Sequence, residues 1–363
     1  MTERSLTNVI AEVGVNHNGS LERALEMVDA AAKAGATTVK FQTFVPGKLV
    51  SRHADMAAYQ ARNTGKQQSQ LEMLRQLRLD EAAHHQLFQH CRRVGIRFLS
   101  SPFDVESLGF LVDDLHVDCL KIASGEITNA PLLVAAGRSG LPLILSTGMS
   151  MLGEVRLALS ALAWGMLEAG NPTDVEREFP LALEEAQGSG LLVSRVTLLH
   201  CTTQYPTPPD AVNLRAMQTL ASEFGLPVGF SDHTTSTSIA AAAVALGATV
   251  VEKHFTLSRS LPGPDHAASL QPAELAQLVL NIRELERAMG DGVKAIQSTE
   301  EENVGMARRS IVAAANITAG SRFTGANLAV KRPGTGMSPF RYWGLLDQVA
   351  THDYEQDEPI DQD

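Results

Sequence analysis

The sequence predicts an α/β fold, a (β/α)8 or TIM barrel, followed by a small β-rich domain. Eight short apolar runs alternate with helix-like segments over the first 290 residues. Strands that alternate with helices form parallel βαβ units, and eight such units in about 250 residues close into a barrel. After residue 290 this alternation stops, and short β-like runs follow from residue 308.

The predicted strands are short runs rich in Val, Ile, Leu and Phe. They occupy 9–15, 38–44, 96–101, 118–123, 143–147, 196–200, 228–234 and 250–256. The helical segments carry apolar residues at three- and four-residue spacing. They occupy 21–35, 80–94, 105–115, 131–138, 152–164, 214–224, 236–247 and 272–289. An open doubly wound sheet is the alternative, but no Gly-x-Gly-x-x-Gly follows the first strand.

Domain boundaries follow from the same pattern. We expect a barrel domain at 1–290, a polar linker at 291–306 and a small domain at 307–363. A domain this short has a core that is barely large enough to be stable alone. We therefore expect it to pack against the barrel or against another subunit. A long polar segment, 44–71, leaves the top of the second strand. An acidic insertion, 168–194, is expected to be a surface excursion at the bottom of the barrel.

Composition excludes several classes of function. The net charge of −11 argues against nucleic-acid binding, which needs basic surfaces. No uncharged apolar run is long enough to span a membrane, and nothing resembles a secretion signal. The three cysteines, Cys91, Cys119 and Cys201, form no Cys-x-x-Cys pair and favour the reducing cytoplasm.

Two histidines near the ends of successive strands indicate a metal site. His233 and His254 lie in the seventh and eighth predicted strands. Adjacent parallel strands are about 4.8 Å apart, so both imidazoles can reach one divalent metal at about 2.1 Å. The alternative is that each is an ordinary core histidine, but both lie in polar clusters at the end of the barrel that carries chemistry.

Several further strand ends carry polar residues on the inward face. Alternate residues of a strand share a face. This alternation places Glu12 on the inward face of the first strand, Ser231 on the same face as His233, and Glu252 on the same face as His254. Cations, hydroxyls and glycine-flanked backbone N–H groups together resemble a cradle for a phosphate-sized anion. These residues are Lys40, Ser101, Lys121, Ser124 and Ser146. A metal beside a bound phosphate suits carbon–carbon bond formation with a phosphorylated partner, and equally a phosphate-releasing hydrolase.

The motifs that contain these residues resemble the bacterial sialic acid synthases. They are 10–17 (IAEVGVNH), 39–42 (VKFQ), 121–126 (KIASGE), 145–149 (LSTGM), 200–202 (HCT), 205–208 (YPTP), 231–234 (SDHT), 252–256 (EKHFT) and 262–265 (PGPD). Segment 330–336 (VKRPGTG) is similar to the family's antifreeze-like (SAF) domain. Residues 254–266 resemble the related legionaminic acid synthases. The likeness runs nearly end to end and in order.

This resemblance implies an enzyme that joins phosphoenolpyruvate to the open-chain form of an N-acetylated mannosamine-type sugar. The sugar is N-acetylmannosamine or a 2,4-diacetamido-2,4,6-trideoxymannose. Water enters, phosphate leaves, and the product is a nine-carbon 2-keto acid. The resemblance also implies a divalent metal, Mn²⁺ with Mg²⁺ or Co²⁺ as alternatives, and a domain-swapped homodimer.

The family likeness assigns an expected role to each site residue. His233 and His254 should hold the metal. Phosphoenolpyruvate should be bound by Lys40, Ser101, Lys121, Ser124, Ser146 and Ser231. The sugar should be bound by Glu12, Gln42, Tyr205, Asp265 and, from the partner subunit, by Arg332 at the N-acetyl group. The expected catalytic residues are Glu12, Glu126, Lys40 and Lys121, with Glu126 a candidate for proton transfer.

The sequence departs from the family pattern at Thr203 and Gln204, where Asn is common, and in the acidic insertion. Two other functions are alternatives to this one. Another phosphoenolpyruvate-dependent aldol-type synthase would need extra Arg or Lys at the barrel rim to bind a phosphorylated aldose. A non-enzymatic ice- or sugar-binding protein would not require charged residues on so many strand ends.

Overall fold

A computed structural model describes residues 6–54 and 69–361. The chain divides into two compact units, Met1–Gly290 and Asp291–Asp363. No helix among the described residues has the length and apolarity that crossing a bilayer requires.

The first unit is the predicted barrel. Its strands are β1 (Asn8–Gly14), β2 (Thr38–Thr43), β3 (Arg97–Pro102), β4 (Leu120–Ile122), β5 (Leu143–Ser146), β6 (Val196–Cys201), β7 (Val228–Asp232) and β8 (Val250–His254). They form one parallel sheet in the order β3-β2-β1-β8-β7-β6-β5-β4. Strands β3 and β4 are neighbours and complete the ring, although no backbone ladder joins them within the described chain. The (β/α)8 prediction is confirmed.

Helices cover the outside of the ring. They are α1 (Leu21–Lys33), α2 (Pro46–Leu49), α3 (Gln70–Leu77), α4 (Glu81–Val94), α5 (Val105–Gly109), α6 (Ala130–Arg138), α7 (Leu152–Met166), α8 (Val175–Gly188), α9 (Leu191–Arg195), α10 (Ala216–Phe224), α11 (Ser238–Ala245) and α12 (Pro272–Ala288). A π-helical turn, Phe110–Asp114, continues α5. Side chains that cap N-termini, such as Ser20 before α1 and Asp80 before α4, explain where these helices begin.

Two predicted loops contain helix. The acidic insertion 168–194 is not only a surface excursion, because it forms α8 and α9. Phe179 and Leu183 of α8 are buried in the main apolar core. The Phe179 ring packs against Trp164 of α7, which anchors the insertion. Segment 44–71 forms α2 and the start of α3, and part of it (55–68) lies outside the described residues.

The barrel interior has an apolar layer below a polar one. Ile10, Leu99, Ile144, Leu199 and Val250 form a buried apolar cluster inside the ring. Alternate residues share a face, so the next inward side chain lies two residues further along each strand. It is polar in four of these strands (Glu12, Ser101, Ser146 and Glu252) and is Cys201 in β6. The apolar layer therefore forms the floor on which the polar residues of the C-terminal rim stand.

The second unit is small and has its own core. Strands β9 (Ser310–Ala313) and β10 (Leu328–Lys331) pair antiparallel. Its core is a separate apolar cluster that includes Ile311, Phe323 and Tyr354. Helices α13 (Glu301–Ala307) and α14 (Tyr342–Leu345) also belong to this unit, so the segment predicted as a linker, 291–306, contains most of a short helix.

Helices α6 and α7 touch through glycines, which predicts a sharp sensitivity to added side chains. A Cβ atom on Gly165 would lie 2.1 Å from the carbonyl oxygen of Val134. We expect Gly165→Ala to lower the free energy of unfolding by about 1–3 kcal/mol, because the helices must separate. Gly153 lies in the same helix with nothing within 4 Å of such a Cβ. Gly153→Ala should be neutral or stabilising in urea denaturation, and equal losses in both variants would contradict the close packing.

Candidate active site

A cavity of about 380 Å³ opens at the C-terminal ends of the strands. Thirteen of the fourteen residues predicted for the site line it. They are Glu12, Lys40, Gln42, Ser101, Lys121, Ser124, Glu126, Ser146, Tyr205, Ser231, His233, His254 and Asp265. The remaining residue, Arg332, follows β10 in the second unit and is exposed.

Four buried charged side chains form an ion-pair network at the centre of the cavity. Lys40 Nζ lies 2.6 Å from Glu12 Oε2 and 3.7 Å from Glu252 Oε2. Lys121 Nζ lies 3.5 Å from Glu252 Oε1, which also accepts a 2.9 Å hydrogen bond from Ser231 Oγ. Each of the four charged side chains is at most 5% exposed. Strand register explains the grouping, because Glu12 is paired with Lys40 across β1 and β2.

The two carboxylates of this network differ in proton affinity. Burial raises the pKa of Glu12 to about 7, outweighing the attraction of Lys40. Burial also acts on Glu252, but Lys121 and Lys40 together outweigh it and lower its pKa to about 2. Glu252 therefore stays ionised at neutral pH, whereas Glu12 exchanges a proton near pH 7.

The two lysines also differ. Burial disfavours the charged form of Lys40, but Glu12 and Glu252 outweigh this effect and raise its pKa. In Lys121 burial dominates, and its pKa is lowered. An anion that approaches Lys121 would therefore stabilise the charged form, which burial disfavours.

His233 and His254 lie side by side, as their strand positions predict. Their ring centroids are 5.4 Å apart, and the Tyr205 ring is 4.3 Å from that of His233. His233 Nδ1 lies 2.7 Å from the carbonyl oxygen of Thr202. This carbonyl can only accept, so Nδ1 carries the proton and Nε2 is left with a lone pair.

The environment keeps both imidazoles neutral. Burial lowers the pKa of His233. Burial, followed by the neighbouring His233, lowers the pKa of His254 well below its usual value. His254 Nδ1 is buried without a hydrogen-bond partner. Neutral imidazoles are the form that binds metal ions.

The donor set fits a divalent transition metal with open coordination positions. Imidazole suits Zn²⁺, Fe²⁺ and Ni²⁺, and two protein ligands leave positions where water or substrate could supply the oxygen ligands that Mn²⁺ and Mg²⁺ prefer. In residues 6–54 and 69–361, no group of three or more His, Cys, Asp or Glu side chains is arranged to hold a metal. The two imidazoles therefore do not belong to a preformed set of three or more such ligands within the described residues.

Serine hydroxyl groups also line the cavity. Lys40 Nζ lies 3.4 Å from Ser101 Oγ. Ser124 Oγ accepts a 2.9 Å hydrogen bond from the Gly148 N–H. Ser146 Oγ is buried without a partner, so it is available to a ligand. Thr203, where the sequence departs from the family pattern, also lines this cavity.

Gly148 is required by this packing. A Cβ atom there would lie 2.5 Å from Thr203 Oγ1, 2.7 Å from Cys201 Sγ and 2.9 Å from Ser124 Oγ. The backbone of 145–149 can therefore approach the cavity only because this residue has no side chain.

Two more carboxylates lie at the cavity wall. Burial raises the pKa of Asp265 to about 6, and its Oδ1 is buried without a partner. Burial also raises the pKa of Glu126, whose Oε2 accepts a 2.7 Å hydrogen bond from Asn129. Both carboxyl groups therefore have pKa values closer to neutral pH than ordinary carboxyl groups do.

An apolar wall of the cavity was not predicted from the sequence, and no role was assigned to Glu252. Leu49, Val50, Met73, Leu74 and Leu77 line the cavity from the segment that follows β2. Met73, Leu74 and Leu77 have helical apolar spacing, but no element was predicted for residues 72–79. Leu49 and Val50 lie in the predicted polar segment, 44–71. Glu252 was placed on the inward face without a role, and it holds both lysines.

The Asp265 carboxylate predicts a pH-dependent gain in stability when it is neutralised. A carboxyl group whose folded pKa of about 6 exceeds the reference value of 3.8 destabilises the fold once it ionises. In chelator-treated protein, Asp265→Asn should raise the free energy of unfolding by about 2–3 kcal/mol above pH 6. Below about pH 4, where both states bind the proton, the gain should vanish. Asp210 is exposed, so Asp210→Asn is the control and should leave the free energy of unfolding nearly unchanged. A gain in Asp265→Asn that does not depend on pH would contradict the raised pKa of Asp265.

Comparison with known proteins places the chain in a family. The NeuB family model matches residues 27–294, and the SAF domain model matches 308–363. The chain is 44% identical to the N,N'-diacetyllegionaminic acid synthase of Campylobacter jejuni over 98% of both chains. It is 43% identical to the synthase of that name from Legionella pneumophila, covering 91% of this chain and 86% of the relative.

A solved structure agrees with this relationship. The sialic acid synthetase of Leptospira borgpetersenii, determined in complex with citrate, has a TM-score of 0.67 to this chain and 32% sequence identity. The match covers 82% of this chain and 90% of that one. The chain is therefore a member of the NeuB family with a C-terminal SAF domain.

Proposed function

We propose that this protein is a metal-dependent nonulosonic acid synthase. It condenses phosphoenolpyruvate with the open-chain aldehyde of an N-acylated mannosamine-type sugar. One water is consumed and one phosphate is released, and the product is a nine-carbon 2-keto sugar acid.

One observation carries the proposal: cations for an anionic substrate and neutral imidazoles for a metal share a single cavity. Phosphoenolpyruvate has a carboxylate and a phosphate, and both need positive charge and hydrogen-bond donors when they leave water. We assign this role to a set of lysines and serines. They are Lys40, Lys121, Ser101, Ser124, Ser146 and Ser231.

His233 and His254 would hold the metal, with Mn²⁺ the favoured ion and Mg²⁺ or Co²⁺ as alternatives. The bound ion would supply Lewis-acid polarisation of the sugar aldehyde, an effect worth several kcal/mol. The His233 Nδ1–H bond to the Thr202 carbonyl fixes the tautomer that leaves Nε2 free to bind.

The sugar would occupy the side of the cavity that holds Gln42, Tyr205 and Asp265. Glu12 lies 2.6 Å from Lys40, and its pKa of about 7 suits it to exchange a proton during carbonyl addition. Glu126 is the second candidate for proton transfer. The apolar wall fits the methyl groups of acetamido substituents, because burying such groups is favourable.

The relatives support one sugar over the other. The two legionaminic acid synthases are 44% and 43% identical to this chain. A human N-acetylneuraminate-9-phosphate synthase is 32% identical over 97% of the chain. We therefore propose a 2,4-diacetamido-2,4,6-trideoxymannose as the preferred substrate, with N-acetylmannosamine as the alternative.

We further propose that the active form is a homodimer with exchanged C-terminal domains. Phe340 and Trp343 of the second unit are 95% and 75% exposed, and exposed aromatic side chains favour an interface. In such a dimer Arg332 would reach the N-acetyl group of the sugar bound by the partner.

The proposed compartment is the cytoplasm. Cys91, Cys119 and Cys201 are free thiols. Burial raises the pKa of Cys91 to about 12, so this thiol is an inert core group.

A phosphate-release assay tests the proposed function. Phosphate should appear only when phosphoenolpyruvate, an N-acylated mannosamine-type sugar and Mn²⁺ are all present, and faster with the diacetamido sugar. His233→Ala, which removes one proposed ligand, is the matched control and should release no phosphate above background. Metal-loaded protein that turns over neither sugar would contradict the proposal.

Replacement of Arg332 tests the sugar-side role of the second unit. Arg332→Ala should raise the KM for the sugar at least tenfold and leave the KM for phosphoenolpyruvate within about twofold, because a buried charged hydrogen bond is lost on the sugar side alone. Lys331, the preceding residue, is ion-paired with Asp357 and provides the control as Lys331→Ala. Equal rises in both KM values for Arg332→Ala would count against the role.

A further inference from the structure

A second buried ion pair lies directly behind the two imidazoles. Asp232 and Lys253 are register partners across β7 and β8, and both side chains are 0% exposed. Lys253 Nζ lies 2.7 Å from Asp232 Oδ2. Alternate residues point to opposite faces of a strand, so this pair faces the helix layer while His233 and His254 face the cavity.

The pair also binds the backbone that follows His233. Lys253 Nζ donates hydrogen bonds to the carbonyl oxygens of Thr234 and Ser236, the latter at 3.1 Å. Asp232 Oδ1 accepts a 2.8 Å hydrogen bond from the Thr234 N–H. Lys253, which directly precedes His254, therefore binds the chain on both sides of His233. It pairs with the Asp232 side chain before His233 and with the backbone of Thr234 and Ser236 after it. We call the Asp232–Lys253 pair and its bonds to Thr234 and Ser236 the outer clasp.

Stability alone gives a poor account of the outer clasp. Taking both charges out of water costs several kcal/mol per ion, and apolar residues of similar volume often serve a core as well or better. The outer clasp does what an apolar pair cannot, since it bonds to specific backbone carbonyls. Those carbonyls belong to the turn that sets the position of the His233 ring.

On the cavity side, few contacts hold the two rings. The protein hydrogen bonds of His233 are the Nδ1 bond to Thr202 and a long, 3.4 Å contact of Nε2 with Ser231 Oγ. His254 Nδ1 has no partner. The Tyr205 ring also lies 4.3 Å from that of His233 and 5.4 Å from that of His254. The 5.4 Å separation of the two imidazoles therefore depends both on these contacts and on the backbone that carries the rings.

We propose that the outer clasp is a positioning device that fixes the distance between His233 and His254 for metal binding. Asp232 and Lys253 do not touch the metal or the substrates; they act through the two histidines. This inference rests on the metal assignment in the proposed function. It adds the residues that make a two-histidine site rigid enough to bind.

Titration with Mn²⁺ alone tests the outer clasp without any substrate. Free Mn²⁺ is measured by electron paramagnetic resonance in wild-type protein and in Lys253→Met, which keeps the length of the side chain and removes its charge. Loss of a partner that orients metal ligands weakens metal binding about 10- to 100-fold. We expect the Kd of Lys253→Met to rise by at least tenfold.

The control is a partly buried ion pair at the other end of the barrel that also bonds to a backbone carbonyl. Arg283 pairs with Glu286 at 2.8 Å and donates a 3.0 Å hydrogen bond to the Thr7 carbonyl, beside the start of β1. Arg283→Met should lower the melting temperature of the metal-free protein and leave the Kd for Mn²⁺ within twofold of wild type. This comparison separates a loss of stability from a loss of positioning.

The remaining outcomes distinguish a failure of the inference from a failure of the proposed function. A folded Lys253→Met with wild-type affinity for Mn²⁺ would overturn it. If Lys253→Met does not fold, Asp232→Asn is tested instead, because it keeps an acceptor for the Thr234 N–H. A wild-type Kd for Mn²⁺ in that variant would likewise overturn the inference. A wild-type protein that binds no Mn²⁺ would overturn both the metal assignment and the outer clasp. Intact Mn²⁺ binding with no phosphate release would overturn only the synthase reaction.

Discussion

The network of Glu12, Lys40, Lys121 and Glu252 is the constraint on which the site depends. Two acids and two bases lie at most 5% exposed at the rim of the barrel, where an unpaired charge would be very costly. They satisfy one another while no ligand is bound. An anionic substrate can take over the lysines without moving the backbone, because the cations are already in place. Such preorganisation is the main source of electrostatic stabilisation in enzymes.

The barrel positions this network by simple geometry. The apolar layer of Ile10, Leu99, Ile144, Leu199 and Val250 closes the interior below it. The next inward residue of each strand then lies at the open end. Because that layer excludes water from one side, the pKa values of Glu12 and Glu252 are pushed in opposite directions by burial and by the number of lysines that each contacts.

Much of the fold and site could be predicted because strand alternation is local. The inward positions of Ser231, His233 and Glu252 follow from a two-residue period, and the structure brings them to one cavity. The helix α8 escaped prediction because Phe179 and Leu183 are embedded among acidic residues that mask a narrow apolar face. The opposite pKa shifts of the two carboxylates and of the two lysines also could not be predicted from the sequence. They depend on distances between side chains on four different strands.

A crystal structure of the protein with phosphoenolpyruvate and Mn²⁺ would test the central claim most directly. The account predicts that Lys40 Nζ and Lys121 Nζ lie within hydrogen-bond distance of phosphate or carboxylate oxygens, with the metal bound to both His233 and His254. Both lysines still paired only with Glu12 and Glu252, and the enol ester bound away from them, would contradict it.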